Sequence, residues 1–363
     1  MNRCYLLLLF GAVLLGCAQI AAAESPQPVQ GGAMLPVRGL HCFAPSKSEI
    51  ALAEKFIREA LPKEGVNLLV LEFNYSFAYT SHPELGNPNA LDEKAVKELL
   101  KACREAGVKL VPQFNCLGHQ SWAENTYALL KKHPEFDETP HVAADNKGIY
   151  CREWCPLHPD LHKIVFALMD ELADACEAEA VHCGMDEVFL IGDPKCPRCS
   201  GKDKAELLAG EVTKLHDHLA EKKRAMWMWG DRFLDGKATK LGKWEASENG
   251  THPAIELVPK DIVICDWHYD RAPETPRHFV GKGFNVLSCP WRKQDVALGE
   301  LQIQRSLAAG PGPGKGAGML QTTWVPFVKF AKAYDGDTSS VEASEAARCF
   351  KALFAELRKT EAK

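Results

Sequence analysis

The chain has 363 residues, of which 46% are hydrophobic and 25% are charged, a composition typical of a globular protein. The formal net charge is −5. Since no basic excess attracts nucleic acid or an anionic membrane surface, we expect neither as a partner. The length is generous for one domain but usual for a barrel of alternating strands and helices.

The first 25 residues have the pattern of a secretory signal. Arg3 precedes an apolar stretch from Tyr5 to Leu15, and small residues follow. This stretch is too short for a membrane span. "LLGC", which ends at Cys17, is similar to a bacterial lipoprotein signal that would make Cys17 a lipid anchor, whereas "AAA" at 21–23 suits an ordinary signal peptidase. We expect a signal peptide over 1–23, a linker over 24–35, and export to the bacterial periplasm, either lipid-anchored or secreted.

Eight apolar, strand-like runs follow the linker, at 37–43, 67–73, 109–115, 180–188, 225–231, 261–267, 284–291 and 318–324. Segments with helical periodicity lie among them, at 46–61, 91–107, 161–178, 204–223 and 341–357. This alternation predicts an α/β fold in which a parallel sheet closes as a (β/α)8 TIM barrel, in a single domain over 36–360.

An open, doubly wound sheet is the alternative fold, but no Gly-rich phosphate loop follows the first strand. "GPGPGKGAG" at 310–318 is a poor match to such a loop because it precedes a strand. We interpret it as a flexible loop.

In such a barrel the reactive groups gather at the carboxyl ends of the strands. The residues at those ends are acids, amides, histidines and aromatics: His41, Glu72, Asn74, Asn115, His119, Asp186, Glu187, Trp229, Asp231, Trp267, Tyr269, Trp291 and Trp324. Sugars have apolar faces and polar edges, so aromatic walls with a few acids and amides predict a carbohydrate site. The alternative is that each tryptophan packs beneath the helices.

The stretch "VHCGMDEV" at 181–188 ends in two adjacent acids, Asp186 and Glu187. Neighbours in a regular strand point to opposite faces. Most glycosidases place two carboxylates on opposite sides of the scissile bond, roughly 5–9 Å apart, which adjacent residues can hardly do. The pair suits a reaction in which the substrate supplies the nucleophile, one acid donates the proton and the other stabilises the intermediate.

This stretch resembles the signature of glycoside hydrolase family 20, the β-N-acetylhexosaminidases, which reads His-x-Gly-x-Asp-Glu and is matched by His182, Gly184, Asp186 and Glu187. Other segments are similar to the family in the same order: "VRG" at 37–39, "LVPQFNCLGHQSW" at 110–122, "CPLHPD" at 155–160, and then "WMWGD", "DWHY" and "TTW". The resemblance covers most of the chain after the leader, and "GMDEVFLIG" is similar to the compact, hexosaminidase D-like branch.

The resemblance implies an exo-acting, retaining β-N-acetylhexosaminidase that removes terminal GlcNAc or GalNAc from a small glycan or glycoconjugate and needs no cofactor. Glu187 would be the general acid and then the base that activates water. Asp186 would bond the acetamido N–H and stabilise an oxazolinium intermediate. Substrate contacts would come from Arg38, which would hold sugar hydroxyls, and from His119, His182, Trp229, Asp231, Trp267, Tyr269, Trp291 and Trp324.

Two departures from the family pattern concern the pocket. Gln113 and Asn115 replace a usual Glu-x-Asp, and "SCPWRK" after the seventh strand lacks the tyrosine that bonds the acetamido carbonyl, for which Tyr269 is the candidate replacement. Two other functions remain open. One is a two-carboxylate glycosidase that pairs Glu187 with Glu72 or Asp231. The other is a carbohydrate-binding barrel without catalysis.

Two cysteine pairs lie in polar, loop-like sequence: Cys151 and Cys155 in "CREWC", and Cys196 and Cys199 in "CPRC". Together they could form a four-thiolate zinc site. Each pair could instead be a disulfide or two free thiols. Only "CPRC" has the tight two-residue spacing of a zinc site.

Overall fold

The computed structural model describes residues 35–311 and 313–359. The predicted signal peptide, Cys17 and nearly all of the predicted linker lie outside the described residues. Within the described ranges, no helix combines the length and the apolar character that crossing a membrane requires.

Eight parallel strands form a closed barrel, and a two-stranded hairpin lies in the loop after the third of them. In chain order the ten strands are β1 (Val37–Phe43), β2 (Leu68–Glu72), β3 (Lys109–Cys116), β4 (Ser121–Trp122), β5 (Asn125–Thr126), β6 (Ala180–Gly184), β7 (Ala225–Trp229), β8 (Val263–Asp266), β9 (Asn285–Ser288) and β10 (Lys315–Gln321). The barrel order is β1-β2-β3-β6-β7-β8-β9-β10, and β10 pairs back with β1.

The helices are α1 (Ile50–Glu64), α2 (Glu93–Glu105), α3 (Ala128–Lys132), α4 (Leu161–Ala175), α5 (Lys204–Glu221), α6 (Gly236–Thr239), α7 (Gly242–Glu245), α8 (Thr275–Gly281), α9 (Gln294–Ala309), α10 (Phe327–Tyr334) and α11 (Val341–Arg358). The (β/α)8 barrel predicted from the sequence is confirmed. The connection from β7 to β8 departs from the ideal pattern, since it holds only the four-residue helices α6 and α7 and two 3-10 turns.

The five predicted helices correspond to α1, α2, α4, α5 and α11, whereas the other six, α3 and α6 to α10, were not predicted. The interpretation of 310–318 as a loop is wrong for its second half, because β10 begins at Lys315. Six predicted strands extend past the observed end, most of all 180–188, which ends at Gly184, 284–291, which ends at Ser288, and 318–324, which ends at Gln321.

Side chains that alternate along each strand separate the barrel interior from the layer under the helices. On β2, Leu68 and Val70 pack inside the barrel, while Leu69 and Leu71 join the outer core under the helices. The next inward position is Glu72, at the strand end, and it lines a cavity. On β7, Trp227 and Trp229 follow the same alternation. The interior is therefore apolar below and becomes polar and aromatic at the carboxyl ends.

Candidate active site

A cavity of about 470 Å³ opens at the carboxyl ends of the barrel strands. Its walls are acids, amides, one histidine and many aromatic rings: Phe43, Glu72, Asn74, Gln113, Asn115, His119, Trp122, Tyr127, Tyr150, Asp186, Glu187, Trp229, Trp267, Tyr269, Trp291 and Trp324. The volume lies within the range of small-molecule sites, and the apolar rings with a few polar groups suit a sugar.

The backbone after β6 turns both acids into this cavity. Gly184, Met185 and Glu187 have φ angles of 65°, 71° and 51°, all in the left-handed region. These angles end the strand and break the alternation that would send neighbouring side chains to opposite faces. Asp186 and Glu187 consequently line the same cavity, and each side chain is only 13% exposed.

His119 lies between the two acids. Its Nε2 atom is 3.2 Å from Asp186 Oδ2 and 3.3 Å from Glu187 Oε2. Burial alone would lower the pKa of His119, but Asp186 and Glu187, together with a contact to Cys151, overcome this and raise the pKa well above its ordinary value. The two acids thus favour the protonated imidazolium form of His119.

Asp231 holds the acid pair from beneath. Its Oδ2 atom accepts a hydrogen bond from the backbone N–H of Glu187 (2.9 Å) and another from Arg232 Nε (2.7 Å). Burial raises the pKa of Asp231 to about 6, against the opposing effect of Arg232 and with a further rise from Asp186. The carboxylate is only 2% exposed and does not line the cavity. Its role is to position the backbone of Glu187.

Besides the acid pair, a third carboxylate lines the cavity. It is Glu72, at the end of β2, and it lies within a network of amide side chains. It accepts hydrogen bonds from Asn74 Nδ2 (2.8 Å), Gln113 Nε2 (3.1 Å) and Asn115 Nδ2 (3.0 Å). Burial raises the pKa of Glu72 to about 7, and the charge of Asp186 adds to this rise. Near neutral pH the group is thus divided between its charged and neutral forms.

Aromatic rings form the opposite wall. Trp324 Nε1 donates to the Tyr269 hydroxyl at 2.5 Å, and the Trp267 and Tyr269 rings lie 5.0 Å apart. Trp291 packs against Tyr269 at 5.4 Å, and its Nε1 atom donates to the Thr323 carbonyl. Trp229 forms the floor, and its indole N–H has no hydrogen-bond partner among the described residues.

Of the site residues predicted from the sequence, eight lie together in the cavity: His119, Asp186, Glu187, Trp229, Trp267, Tyr269, Trp291 and Trp324. Asp231 and His182 lie beneath it and do not line it. His182 is fully buried, its ring lies 4.4 Å from that of Trp229, and burial lowers its pKa well below the ordinary value, which keeps it neutral. The structure does not bring these two side chains to the cavity wall, and their predicted contact with substrate stays a prediction.

The structure does not bring Arg38, which was predicted to hold sugar hydroxyls, into the cavity. Arg38 is the second residue of β1, so it lies at the amino end of the barrel, away from the cavity. Its guanidinium donates to the carbonyl oxygens of Gly65 (2.9 Å) and Leu35 (3.3 Å). The four-cysteine zinc set needs a correction as well, because Cys151 Sγ lies 3.5 Å from His119 Nδ1, apart from the other three thiols.

Glu72 and Gln113 also line the cavity. The sequence placed Glu72 at a strand end and paired it with Glu187 only in the two-carboxylate alternative, and alternation along β2 and β3 explains why both side chains face inward. Tyr150 was not predicted; it comes from the long loop between α3 and α4 and lies beside Glu187. Burial and the neighbouring Glu187 carboxylate raise the pKa of this tyrosine. No periodic pattern in the sequence marks its position.

A closed parallel barrel whose carboxyl-end cavity combines acids with tryptophan walls has the architecture of the glycoside hydrolase barrels. The chain belongs to glycosyl hydrolase family 20, whose catalytic-domain model matches residues 76–302. It is 25% identical over 144 residues to a β-hexosaminidase of Akkermansia muciniphila, an alignment that covers 38% of this chain and 29% of that protein. The chain thus matches less than a third of this curated relative.

Solved structures share the fold at low sequence identity. A crystal structure of a β-N-acetylhexosaminidase superposes with a TM-score of 0.65 at 17% identity, over 90% of this chain and 75% of that one. A chitobiase of Flavobacterium johnsoniae gives 0.62 at 14% identity, over 90% and 52%. An exo-β-N-acetylglucosaminidase of Vibrio harveyi, solved with N-acetylglucosamine, gives 0.57 at 14% identity, over 90% and 58%.

Proposed function

We propose that the protein is an exo-acting, retaining β-N-acetylhexosaminidase in which the substrate's acetamido group is the nucleophile. The observation that carries this proposal is the acid pair. Asp186 and Glu187 are consecutive residues on one wall of the cavity, and oxygens of their carboxylates lie within 4.8 Å of each other and of the His119 imidazole. Two acids on one side of a sugar cannot act as an acid and a nucleophile on opposite faces of the glycosidic bond.

The proposed reaction has two steps. Glu187 protonates the leaving oxygen as the C1–O bond breaks, while the acetamido carbonyl oxygen attacks C1 from the other face and closes an oxazolinium ring. Asp186 accepts the acetamido N–H and stabilises the positive charge that forms. Glu187 then takes a proton from water, which attacks C1 and reopens the ring, so two inversions retain the configuration.

Action at a chain end is the part of this proposal that rests on the family resemblance. The packed interior of the barrel closes the cavity below, where Trp229 is its floor, so a bound sugar extends toward the barrel mouth.

The test compares two aryl glycosides, the β-N-acetylglucosaminide and the plain β-glucoside. We expect cleavage of the acetamido sugar alone, and we expect Asp186→Ala to lower its kcat/KM by roughly 10²–10³-fold, the loss typical of one charge-stabilising group. Glu187→Gln should slow substrates with poor leaving groups most, because these need the proton. Glu179→Gln is the control, since that exposed acid precedes β6 at the other end of the barrel and pairs with Lys109.

A conventional glycosidase that uses Glu187 with Glu72 is the second candidate, because both line the same cavity. In that case the plain glucoside would be cleaved as well, and Glu72→Gln rather than Asp186→Ala would abolish turnover. Asp231 is a poorer partner because its carboxylate is buried and already bonded to Arg232 and Glu187. Equal cleavage of both glycosides, unaffected by Asp186→Ala, would overturn the substrate-assisted proposal.

A further inference from the structure

Outside the cavity, four side chains of types that can bind a metal ion lie close together, and two of them belong to the loop that follows the acid pair. They are Glu138, Cys155, Cys196 and Cys199, all buried, and one potential ligand atom from each lies within 4.8 Å of all the others. Glu138 and Cys155 belong to the long loop between α3 and α4. Cys196 and Cys199 belong to the loop between β6 and α5, which begins at the acid pair.

The separations of the sulfur atoms suit a shared metal ion. Cys155 Sγ lies 3.4 Å from Cys199 Sγ and 3.6 Å from Cys196 Sγ. Zinc–sulfur bonds of about 2.3 Å in tetrahedral geometry place two sulfur ligands about 3.8 Å apart, close to these values. A disulfide would require about 2.05 Å. Two thiols can pair in a disulfide, but three thiols around one point leave one without a partner.

The fourth group is the Glu138 carboxylate, which two backbone N–H groups hold in a fixed orientation. Glu138 Oε1 accepts hydrogen bonds from the backbone N–H groups of Gly192 (2.9 Å) and Asp193 (3.1 Å). The carboxylate also faces the thiols of Cys196 and Cys199, and its Oε2 atom is buried. A metal ion bound by the carboxylate and the thiolates would satisfy this buried oxygen. The two backbone donors would orient the carboxylate as supporting groups usually do.

The "CPRC" segment brings two of the three sulfurs to the cluster from one short turn, since Cys196 and Cys199 are only three positions apart. This two-residue spacing between cysteines is common in structural zinc sites.

We propose that Glu138, Cys155, Cys196 and Cys199 bind one structural Zn²⁺ ion in a closed tetrahedral site. On binding, the three thiols release their protons to solvent and no electron is transferred. The ion would join the α3–α4 loop to the β6–α5 loop. Glu153 already links the same two loops, since its Oε1 atom accepts from the backbone N–H groups of Phe189 (2.5 Å) and Leu190 (2.6 Å). Together they would fix the segment directly after Glu187.

The test measures metal in the protein purified without added metal or chelator. Mass spectrometry of the elements should find about one zinc per chain, and a mercurial reagent should release it into a chromogenic chelator. Cys196→Ser should lower the zinc content at least about tenfold, and Glu138→Gln should weaken zinc affinity by roughly 10–100-fold. Removal of the metal from the wild type should lower its unfolding temperature.

Two controls separate the ligands from other buried thiols. Cys349→Ser, in α11, and Cys151→Ser, beside His119, should both keep the wild-type zinc content. A wild type that contains no zinc, takes up none on reconstitution, or is 2 Da lighter than the reduced mass because of a disulfide among the three cysteines would overturn the proposal. Zinc content does not depend on turnover, so this result and that of the glycoside assay can fail independently.

Discussion

Gly184 is the residue that allows the strand before the acid pair to end. Its φ angle is 65°, and an added Cβ would lie 2.5 Å from Asn115 Oδ1 and 3.1 Å from Asn115 Cα. Two physical constraints therefore require glycine at this position: the backbone is left-handed, and Asn115 of β3 lies too close for a side chain. Asn115 is held by Glu72, so it cannot move aside without breaking the amide network.

We expect Gly184→Ala to lower the free energy of unfolding by roughly 2–4 kcal/mol, because backbone strain and overpacking add together. Gly107→Ala is the matched control. Gly107 has a φ angle of 68°, but an added Cβ would meet nothing within 4 Å, so only the strain of about 1–2 kcal/mol remains. Urea unfolding of both variants measures the difference. Equal losses would show that the contact with Asn115 costs nothing.

Some site residues could be predicted from the sequence and others could not. The acid pair was predicted because two adjacent acids after an apolar strand indicate acid–base chemistry and match the family signature. Arg38 lies outside the cavity because its side chain belongs to the amino end of the barrel, where backbone carbonyls accept its N–H groups. Glu138 was not predicted as a member of the cysteine cluster because it precedes Cys155 by seventeen positions in a loop without periodicity.

At the scale of elements, His268 ties three of them together. Its Nδ1 atom lies 2.6 Å from Glu245 of α7, and its Nε2 atom lies 3.1 Å from Asp266 of β8. The Thr275 hydroxyl of α8 donates to the same Asp266. Burial would lower the pKa of His268, but the two carboxylates overcome it and raise the pKa to about 10. The charged imidazolium is thus part of the folded state at neutral pH.

A raised histidine pKa stabilises the folded state fully below the unfolded value of about 6.5, and the contribution is lost as the pH rises toward the folded value. We expect His268→Gln to destabilise the protein most near pH 6 and progressively less toward pH 10. Thermal unfolding of wild type and variant across this range measures the gap. A gap that stays constant with pH would mean that packing, not charge, makes His268 important.

Element boundaries were harder to predict than element types. The eight strands were found because each is a short apolar run, and five helices because their apolar residues recur at helical spacing. Helix α9 was missed because its buried face includes Glu300 and Gln304, so its polar pattern conceals its packing. The start of β10 was hidden by glycines, which usually mark loops, although here they let neighbouring chains approach closely.

Closure of the barrel is the property of the whole molecule that no local pattern predicts. The chain closes where β1 pairs with β10, with Val37 opposite Gly318. Gly318 has a φ angle of 142°, and an added Cβ would lie 2.0 Å from the Val37 carbonyl oxygen. The pairing of β10 with β9 also shifts register between Gly316 and Gly318. The seam between the first and last strands thus depends on a residue without a side chain.

If the barrel unfolds as one cooperative unit, damage at this seam must weaken all eight strands. We expect Gly318→Ala to lower the free energy of unfolding by about 3–5 kcal/mol and to speed amide hydrogen exchange throughout the barrel, including β6, which carries the acid pair. Gly336→Ala, after α10, is the control, since its φ angle is also positive but nothing lies within 4 Å of the added Cβ. Faster exchange confined to β1 and β10 would mean that the seam opens alone and that the site does not depend on closure.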